Sequence, residues 1–237
     1  MRRFTAVEKM PVTFVFVTLN VLVFVAMSFS GVSPGMPQTR QLIRWGADFG
    51  PLTLDGQPWR ILTANYVHIG ILHIALNMWC LWNLGAWGEV IFDRWTYFLT
   101  YTTCGLAASI SSLWWHPRGV GAGASGAIFG MVGALISALY LGRLGIPRRA
   151  LRSTLKSLIT FTAYNLVFGT LVPGIDNSAH LGGLASGLVL GGILAQDLRA
   201  RLDQRAARRT WVFLLAAIAL LVAFRLVREH ALHHGLL

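Results

Sequence analysis

The sequence predicts an all-α protein that crosses a membrane several times. Of its 237 residues, 55% are hydrophobic and 12% are charged, and the mean hydropathy is +0.59. A soluble domain of this size cannot hide so much apolar surface from water. The apolar residues also form seven separate stretches, each near the roughly 20 helical residues that cross a hydrocarbon core. Together these observations predict a polytopic helical membrane protein.

The predicted spans differ in their surroundings. They cover residues 11–30, 61–86, 95–115, 124–142, 151–172, 179–196 and 210–227. The first has the basic start of a signal peptide, but Ser33-Pro34-Gly35 is no convincing cleavage site, so we expect the span to be retained. The gap at 31–58 exceeds an ordinary connection, which predicts a functional loop or one lateral to the bundle. The seventh span follows a basic linker and is predicted to be an addition to a core of six.

Lysine and arginine predict the orientation of the spans. Fourteen of the twenty fall in gaps on one side, and the positive-inside rule makes that side cytoplasmic. Seven spans then put the N-terminus inside and the C-terminus outside. We divide the chain into a cytoplasmic N-terminus (1–10), a six-helix core (11–196), a basic cytoplasmic linker (197–209), and a seventh helix with an outer tail (210–237).

Other classes of protein fit the sequence less well. The net charge of +11 would suit a nucleic-acid binder, but the basic residues lie between apolar runs and not on one face. Cys80 and Cys104 sit in apolar stretches and form no disulfide framework. A transporter would show charged residues near the bilayer centre and an inverted repeat, and neither is clear.

Two polar residues open glycine-rich apolar segments, Ser125 in Gly123-Ala124-Ser125-Gly126 and His180 in Ala179-His180-Leu181-Gly182-Gly183. Counting back from the inner ends of their spans puts them about 6 Å and about 9 Å below the outer edge of the hydrocarbon core. Glycines at close spacing let two helices approach. They are Gly126, Gly130 and Gly133 in the fourth span, and Gly183, Gly187 and Gly191 in the sixth. We therefore expect the hydroxyl and the imidazole to meet.

A serine next to a histidine is the minimum for nucleophilic catalysis, because the imidazole takes the proton of an otherwise weak nucleophile. No carboxylate is evidently placed to orient His180, since Asp176 lies one turn upstream in the outer loop and Glu89 near the inner boundary. This predicts a Ser125–His180 dyad and not a triad. The alternative is that Ser125 is only an interhelical hydrogen-bond donor.

Acyl transfer also needs donors for the developing oxyanion. The candidates are His73, the Asn77 amide and the backbone N–H of Ser125, which opens a helix after Gly123. For His68, at the entrance of the second span, interhelical hydrogen bonding is the favoured interpretation. A metal site of His68, His73 and His180 is the other option, but no Cys, Asp or Glu lies at matching depth. The terminal histidines, His230, His233 and His234, are predicted to lie in a solvated tail.

Five motifs follow one another between about residues 59 and 187. They are Trp59-Arg60; His68, His73 and Asn77; Gly85 and Glu89; Gly123-Ala124-Ser125-Gly126; and Ala179, His180, Gly183 and Gly187. In these motifs the chain resembles the rhomboid intramembrane serine proteases. Each motif alone is weak, but the ordered set is specific.

The resemblance implies a rhomboid-like six-helix bundle, here with one C-terminal transmembrane helix, and a short fourth helix whose serine opens into a water-filled cavity. It implies that Ser125 attacks the scissile carbonyl, that His180 is general base and then acid, and that His73 and Asn77 bind the oxyanion. The loop at Trp59 and Arg60 would lie sideways in the bilayer. Substrates would be single-span membrane proteins cut near the outer surface, and no cofactor, metal or nucleic acid is implied.

One position departs from the family pattern. Phe129 stands where many members have Tyr, so its ring could pack on His180 but could offer no hydroxyl. We expect a change of rate and not of mechanism. A catalytically dead relative would usually lack Ser125 or His180, and both are present. No organellar targeting segment is visible, which favours a bacterial inner membrane, and nothing in the sequence indicates the oligomeric state.

Overall fold

The computed structural model describes residues 10–142, 144–197 and 202–236, and most of them are helical. The elements are α1 (Pro11–Phe29), α2 (Thr39–Arg44), β1 (Asp48–Phe49), α3 (Gly50–Thr53), α4 (Arg60–Thr63), a 3-10 turn (Ala64–Tyr66), α5 (Ile71–Ile91), α6 (Arg94–Trp115), β2 (Val120–Gly121), α7 (Ser125–Leu141), α8 (Arg148–Leu171), α9 (Asn177–Asp197) and α10 (Leu202–His233). The strands pair antiparallel over two residues each. The prediction of an all-α protein is confirmed.

Several of the helices are suited to a bilayer. Within the described residues, Pro11–Phe29, Asn177–Gln196 and Arg205–His233 are each long and apolar enough to cross a membrane, and the bent pair Arg60–Tyr66 and Ile71–Ile91 would make a fourth span. The apolar helix α7 has 17 residues, about 25 Å at 1.5 Å per residue, which is shorter than a hydrocarbon core. The chain is an integral membrane protein, and the count of seven spans stays a prediction.

The predicted start of the second span, at residue 61, is wrong. The chain forms α4 and the 3-10 turn as far as Tyr66, and then bends by 93° into α5. Gly70 forms the corner with a φ of +85°, and a Cβ there would lie 2.9 Å from the carbonyl oxygen of Gly35. Apolar periodicity continues across the bend, so it does not reveal that a left-handed glycine ends one helix before the next begins.

The seventh long helix also differs from its predicted bounds. It begins at Leu202 and not near residue 210, so the described part of the predicted linker is helical. The remainder of that linker, 198–201, and residues 1–9 of the predicted cytoplasmic segment 1–10 lie outside the described residues, as does Arg143. α10 packs mainly against α6 and less against α9.

The centre of the bundle is α7, whose residues from Gly126 to Leu135 are all buried. Its most extensive contact is with α9. A Cβ on Gly183, Gly187 or Gly191 would overlap the carbonyl oxygen of Gly126, Gly130 or Ala134 respectively. On the other side of α7, a Cβ on Gly130 would overlap Cys104 of α6. Small residues thus let α7 contact two helices at backbone distance, as the glycine spacing predicts.

At the end of the bundle away from Ser125, Glu89 joins α5 to α1. Its carboxylate accepts hydrogen bonds from the Thr13 amide at 2.7 Å, the Thr13 hydroxyl at 2.7 Å and the Val12 amide at 3.2 Å. These amides belong to the first turn of α1, which has no intrahelical acceptors for them. One turn earlier in α5, a Cβ on Gly85 would overlap the Thr13 side chain. Gly85 and Glu89 therefore both contribute to the contact between α5 and α1.

Candidate active site

Ser125 and His180 lie side by side. Ser125 is the first residue of α7, and His180 lies in the first turn of α9. The Ser125 Oγ is 2.9 Å from the His180 Nε2, within hydrogen-bond distance. Ser125 is half-buried and His180 is 7% exposed. The glycine contact between α7 and α9 brings together two residues that are 55 positions apart in the sequence.

The His180 ring is held by an aromatic side chain and not by a carboxylate. Phe129, one turn after Ser125, stacks on it with ring centroids 4.2 Å apart and planes 5° from parallel. The ring centroid of Phe161, in α8, lies 6.0 Å from that of Phe129. The buried Nδ1 of His180 has no hydrogen-bond partner among the described residues. With Nε2 facing the Ser125 hydroxyl, orientation of the imidazole therefore depends on ring packing.

Asp176 caps α9 and was not among the predicted site residues. Its carboxylate accepts hydrogen bonds from the amides of Ser178 and Ala179 at 3.0 Å each, and from the hydroxyls of Ser178 and Ser112. Burial raises the pKa of this carboxyl, but those hydrogen bonds outweigh the burial and hold the pKa below its ordinary value. Since Ser112 belongs to α6, the cap attaches the first turn of α9, with His180 in it, to α6.

The loop before Ser125 requires glycine at position 123. Gly123 has a φ of +119°, in the left-handed region, and its amide donates to the Ala64 carbonyl at 2.9 Å. A Cβ there would lie 2.6 Å from Cε1 and 2.8 Å from Nε2 of His73. The imidazole of His73 therefore packs directly against the backbone of the nucleophile loop, which we define as residues 121–124.

Of the predicted oxyanion donors, His73 lies against this loop and Asn77 lies one turn further along α5. The Nδ1 of His73 accepts a hydrogen bond from the Ile69 amide at 3.3 Å, which leaves the proton of a neutral ring on Nε2, beside Gly123. The Asn77 Nδ2 donates to the His73 carbonyl at 2.8 Å and keeps a second hydrogen. The amide of Ser125, at the first position of α7, has no acceptor within its own helix.

His68 supports the loop from the other side. Its Nδ1 lies 3.3 Å from the Tyr66 carbonyl, and its Nε2 accepts from the Ala124 amide at 3.4 Å. The ring is fully buried and meets His73 edge-on at 5.2 Å. Both ring nitrogens are thus occupied by backbone groups of the 3-10 turn and the nucleophile loop, whereas the sequence favoured an interhelical hydrogen bond for His68.

Arg60 joins the corner of the long loop to its earlier part. Its Nη1 donates to the carbonyls of Ile43 at 2.6 Å and Ala47 at 2.9 Å, and its Nε donates to Gln57 at 2.7 Å. The guanidinium carbon also lies 4.7 Å from the ring centre of Trp59. Arg60 is 5% exposed, whereas Trp59 is 50% exposed. The charge is buried because backbone carbonyls surround it.

The other histidine predictions have different outcomes. Within the described residues, no three His, Cys, Asp or Glu side chains are grouped closely enough to hold a metal ion. The prediction of a solvated tail is wrong for His230, which lies in α10 and stacks on Trp114 of α6 at 4.4 Å. His233 and His234 are exposed.

The fold and these contacts define a class of protein: a helical integral membrane protein in which a serine hydroxyl meets an imidazole at the start of a short helix. Comparison with known sequences identifies the family. The family model described as Rhomboid domain matches residues 55–197, more than half of the chain, so this protein belongs to the rhomboid family. The resemblance seen in the motifs is confirmed.

Individual relatives agree with this assignment. The chain is 37% identical over 175 residues to the rhomboid protease GluP of Bacillus subtilis (strain 168), covering 74% of this chain and 33% of that protein. It is 36% identical over 159 residues to the mitochondrial RHOMBOID-like protein 6 of Arabidopsis thaliana, covering 67% and 51%. With the rhomboid protease AarA of Providencia stuartii it shares 29% over 202 residues, covering 75% and 70%. The chain spans a third to a half of the length of the first two relatives.

Proposed function

We propose that this protein is an intramembrane serine endopeptidase. It hydrolyses peptide bonds in or next to the transmembrane segments of single-span membrane proteins, with Ser125 as nucleophile and His180 as base. The observation that carries the proposal is the 2.9 Å distance between the Ser125 Oγ and the His180 Nε2. Two relatives named rhomboid protease, GluP and AarA, support the same reaction.

The reaction follows from the positions of these groups. His180 takes the hydroxyl proton while the Ser125 Oγ bonds to the scissile carbonyl carbon, and the carbonyl oxygen becomes an oxyanion. The Nε2–H of His73, the second amide hydrogen of Asn77 and the Ser125 amide supply donors to it. Each well-placed donor of this kind contributes about 10²–10³ in rate. His180 then protonates the leaving amine, and a water activated by the same imidazole releases the acyl group from Ser125.

The remaining site residues are proposed to hold this geometry. Gly123 lets His73 approach the loop, His68 binds the Ala124 amide, and Phe129 orients the His180 ring. Trp59 and Arg60 stabilise the long loop, and Glu89 joins α5 to α1. Gly183 and Gly187 keep α9 against α7.

The placement in the membrane is part of the proposal. Seven spans with the N-terminus in the cytoplasm put the Ser125 end of the bundle outside, within about 6 Å of the outer edge of the hydrocarbon core. The six-helix core would run from 11 to 196 and the seventh helix with its tail from 210 to 237, after a cytoplasmic segment 1–10 and a linker 197–209. Relatives from Bacillus subtilis and Providencia stuartii favour a bacterial inner membrane.

The proposed substrate class comes from the family resemblance, and the chemistry of a membrane helix explains it. Its peptide bonds are shielded by internal hydrogen bonds and must be exposed by local unwinding before a hydroxyl can attack them. Segments with glycine or other helix-destabilising residues near the outer surface unwind most readily, because such residues have the lowest helix propensity. These are the bonds that Ser125 is expected to reach.

A cleavage assay in liposomes tests the proposal. A single-span substrate is incubated with the wild-type protein, with Ser125→Ala and with His180→Ala, and Ser157→Ala serves as a matched control because Ser157 is exposed on α8. Both active-site variants are expected to fall to background while Ser157→Ala matches the wild type, and a fluorophosphonate probe should label only a chain that retains Ser125. Undiminished cleavage by Ser125→Ala and His180→Ala would refute the proposed dyad.

A further inference from the structure

The end of α10 that lies beside the Ser125 end of the bundle is packed unlike the rest of that helix. Only 6% of the residues in the apolar stretch of Arg205–His233 are buried, so most of α10 buries little surface against the bundle. Close to its end, Val227 and Ala231 are 4% and 1% exposed and join a cluster with Leu54, Ile110 and Leu113. Burial is thus concentrated where α10 reaches the level of the nucleophile loop.

Polar contacts at the same end bind two separate segments of the core. The Arg228 Nε donates to the Leu54 carbonyl at 2.8 Å. Arg118, between α6 and β2, donates from Nε to the Leu236 carbonyl at 3.3 Å and from Nη2 to the Gly235 carbonyl at 3.2 Å. The first contact binds the long loop before α4, and the second binds the connection that leads to Ser125.

The end of α10 has the backbone geometry that presents these carbonyls. Gly235 has a φ of +60°, its amide donates to the Leu232 carbonyl at 3.2 Å, and the Leu236 amide donates to the Ala231 carbonyl at 2.9 Å. This pair of bonds is a Schellman motif, which reverses the chain after the helix. The reversal turns the carbonyls of Gly235 and Leu236 toward Arg118.

The two segments that α10 binds are themselves joined. The Gly50 amide donates to the Pro117 carbonyl at 2.8 Å, and β1 pairs with β2 so that Asp48 faces Gly121. Gly121 is the first residue of the nucleophile loop. A displacement of either segment is therefore transmitted through the strand pair to Gly123 and to the amide of Ser125.

We propose that the end of α10 is a clamp that positions the nucleophile loop, with Arg228 and Arg118 as its positioning residues. Neither arginine touches the reacting atoms. Arg228 holds the loop that carries β1, Arg118 holds the connection that carries β2, and α10 holds both against the outer part of α6. At its other end α10 is attached by the Arg209–Asp93 ion pair, so the helix acts as a strut between the two ends of the bundle.

Substitutions that remove only these hydrogen bonds test the clamp, which rests on the proposed function for its rate measurements. Arg228→Met and Arg118→Met keep the length of the side chain and lose the donors. Arg225→Met is the matched control, since Arg225 is exposed on the same helix. We expect both variants to lower kcat and the rate of fluorophosphonate labelling by about five-fold with little change in KM, because small misplacements of a reacting group are costly. Arg228→Lys should restore most of the rate, since an ammonium group can also donate to the Leu54 carbonyl.

Separate outcomes distinguish the clamp from simple packing. A lower melting temperature with an unchanged labelling rate per folded molecule would overturn the proposal, as would equal effects of Arg225→Met and Arg228→Met. Hydrogen exchange of residues 116–124 gives a measurement that does not depend on catalysis. Faster exchange in Arg228→Met supports the clamp and unchanged exchange refutes it, even if Ser125→Ala were to retain activity and the proposed function itself were to fail.

Discussion

At the scale of single residues, the surroundings of the His180 ring separate this site from a catalytic triad. The buried Nδ1 has no partner among the described residues, and Phe129 stacks on the ring instead. A carboxylate would both orient the imidazole and stabilise its positive charge, whereas a phenyl ring supplies orientation and only the weak attraction of its π face. Orientation by packing is thus the main support that the His180 imidazole receives.

This arrangement predicts different effects for two substitutions of Phe129. Phe129→Leu removes the flat surface under the imidazole and is expected to lower kcat about ten-fold, in the range by which aromatic contacts contribute. Phe129→Tyr keeps the surface and should stay within a few-fold of the wild type. Cleavage rates at saturating substrate measure kcat for both variants. Phe168→Leu is the control, because the Phe168 side chain is exposed on α8. Complete loss of activity in Phe129→Tyr would mean that the ring has another role.

At the scale of elements, the backbone contact between α7 and α9 sets the distance between Ser125 and His180. A Cβ on Gly187 would overlap the Gly130 carbonyl oxygen, whereas one on Gly192 would meet, within the part of the chain that the structure describes, only the Leu141 side chain, at 3.7 Å. The two glycines share a helix and differ in what they face. Their contrast isolates the helix contact from the intrinsic preference of alanine for helices.

Gly187→Ala is therefore expected to destabilise the protein and Gly192→Ala is not. Overpacking a tight contact costs about 1–3 kcal/mol and moves the two helices apart. We expect a lower apparent melting temperature in detergent and a loss of fluorophosphonate labelling for Gly187→Ala, with wild-type values for Gly192→Ala. Equal melting temperatures for the two variants would show that the helices separate at little cost.

Much of this element structure could be predicted from the sequence, because long apolar segments and spaced glycines are local patterns. The start of α5 could not, since the apolar pattern runs through the bend at Gly70. The contact of α10 with Leu54 could not either, because it joins a polar side chain to a backbone carbonyl 174 positions away. The cap formed by Asp176 could have been predicted from the sequence, because an aspartate just before a helix is a common N-cap.

At the scale of the whole molecule, the long loop between α1 and α4 contains a buried carboxyl that couples its stability to pH. Asp48 is 2% exposed, accepts a hydrogen bond from the Thr53 hydroxyl at 2.5 Å, and has one oxygen without a partner among the described residues. Burial is the largest cause that raises the pKa of Asp48 from 3.8 to about 7, and the negative charge of Asp176 raises it further. The hydrogen bonds from Thr53 and the Phe49 amide and the positive charge of Arg60 lower this pKa, but by less.

The sign of the pH effect follows from this shift. Between pH 3.8 and about 7, the folded protein holds a proton on Asp48 that the unfolded chain has released. The contribution to stability is complete below the lower value and is lost as the pH rises through the upper one. We expect the apparent melting temperature of the wild type to fall as the pH rises from about 5 to about 8. In Asp48→Asn this fall should be much smaller.

The matched control for this prediction is Asp55→Asn, since Asp55 is exposed in the same loop. It should retain the pH dependence of the wild type. If Asp48→Asn keeps the full fall in melting temperature, the carboxyl is ionised in the folded protein and the loop is more open to water than its burial indicates.

The bond from Arg228 to Leu54 has a consequence for biosynthesis. A ribosome adds about 5–20 residues per second, so Arg228 is made roughly 5–20 s after Ser125. During that interval the nascent chain holds Ser125 in the bilayer without the hydrogen bond from Arg228 to the long loop. Under the proposed function and the proposed clamp, a newly made molecule gains full activity only after α10 has been inserted, which limits the cleavage of neighbouring membrane proteins during synthesis.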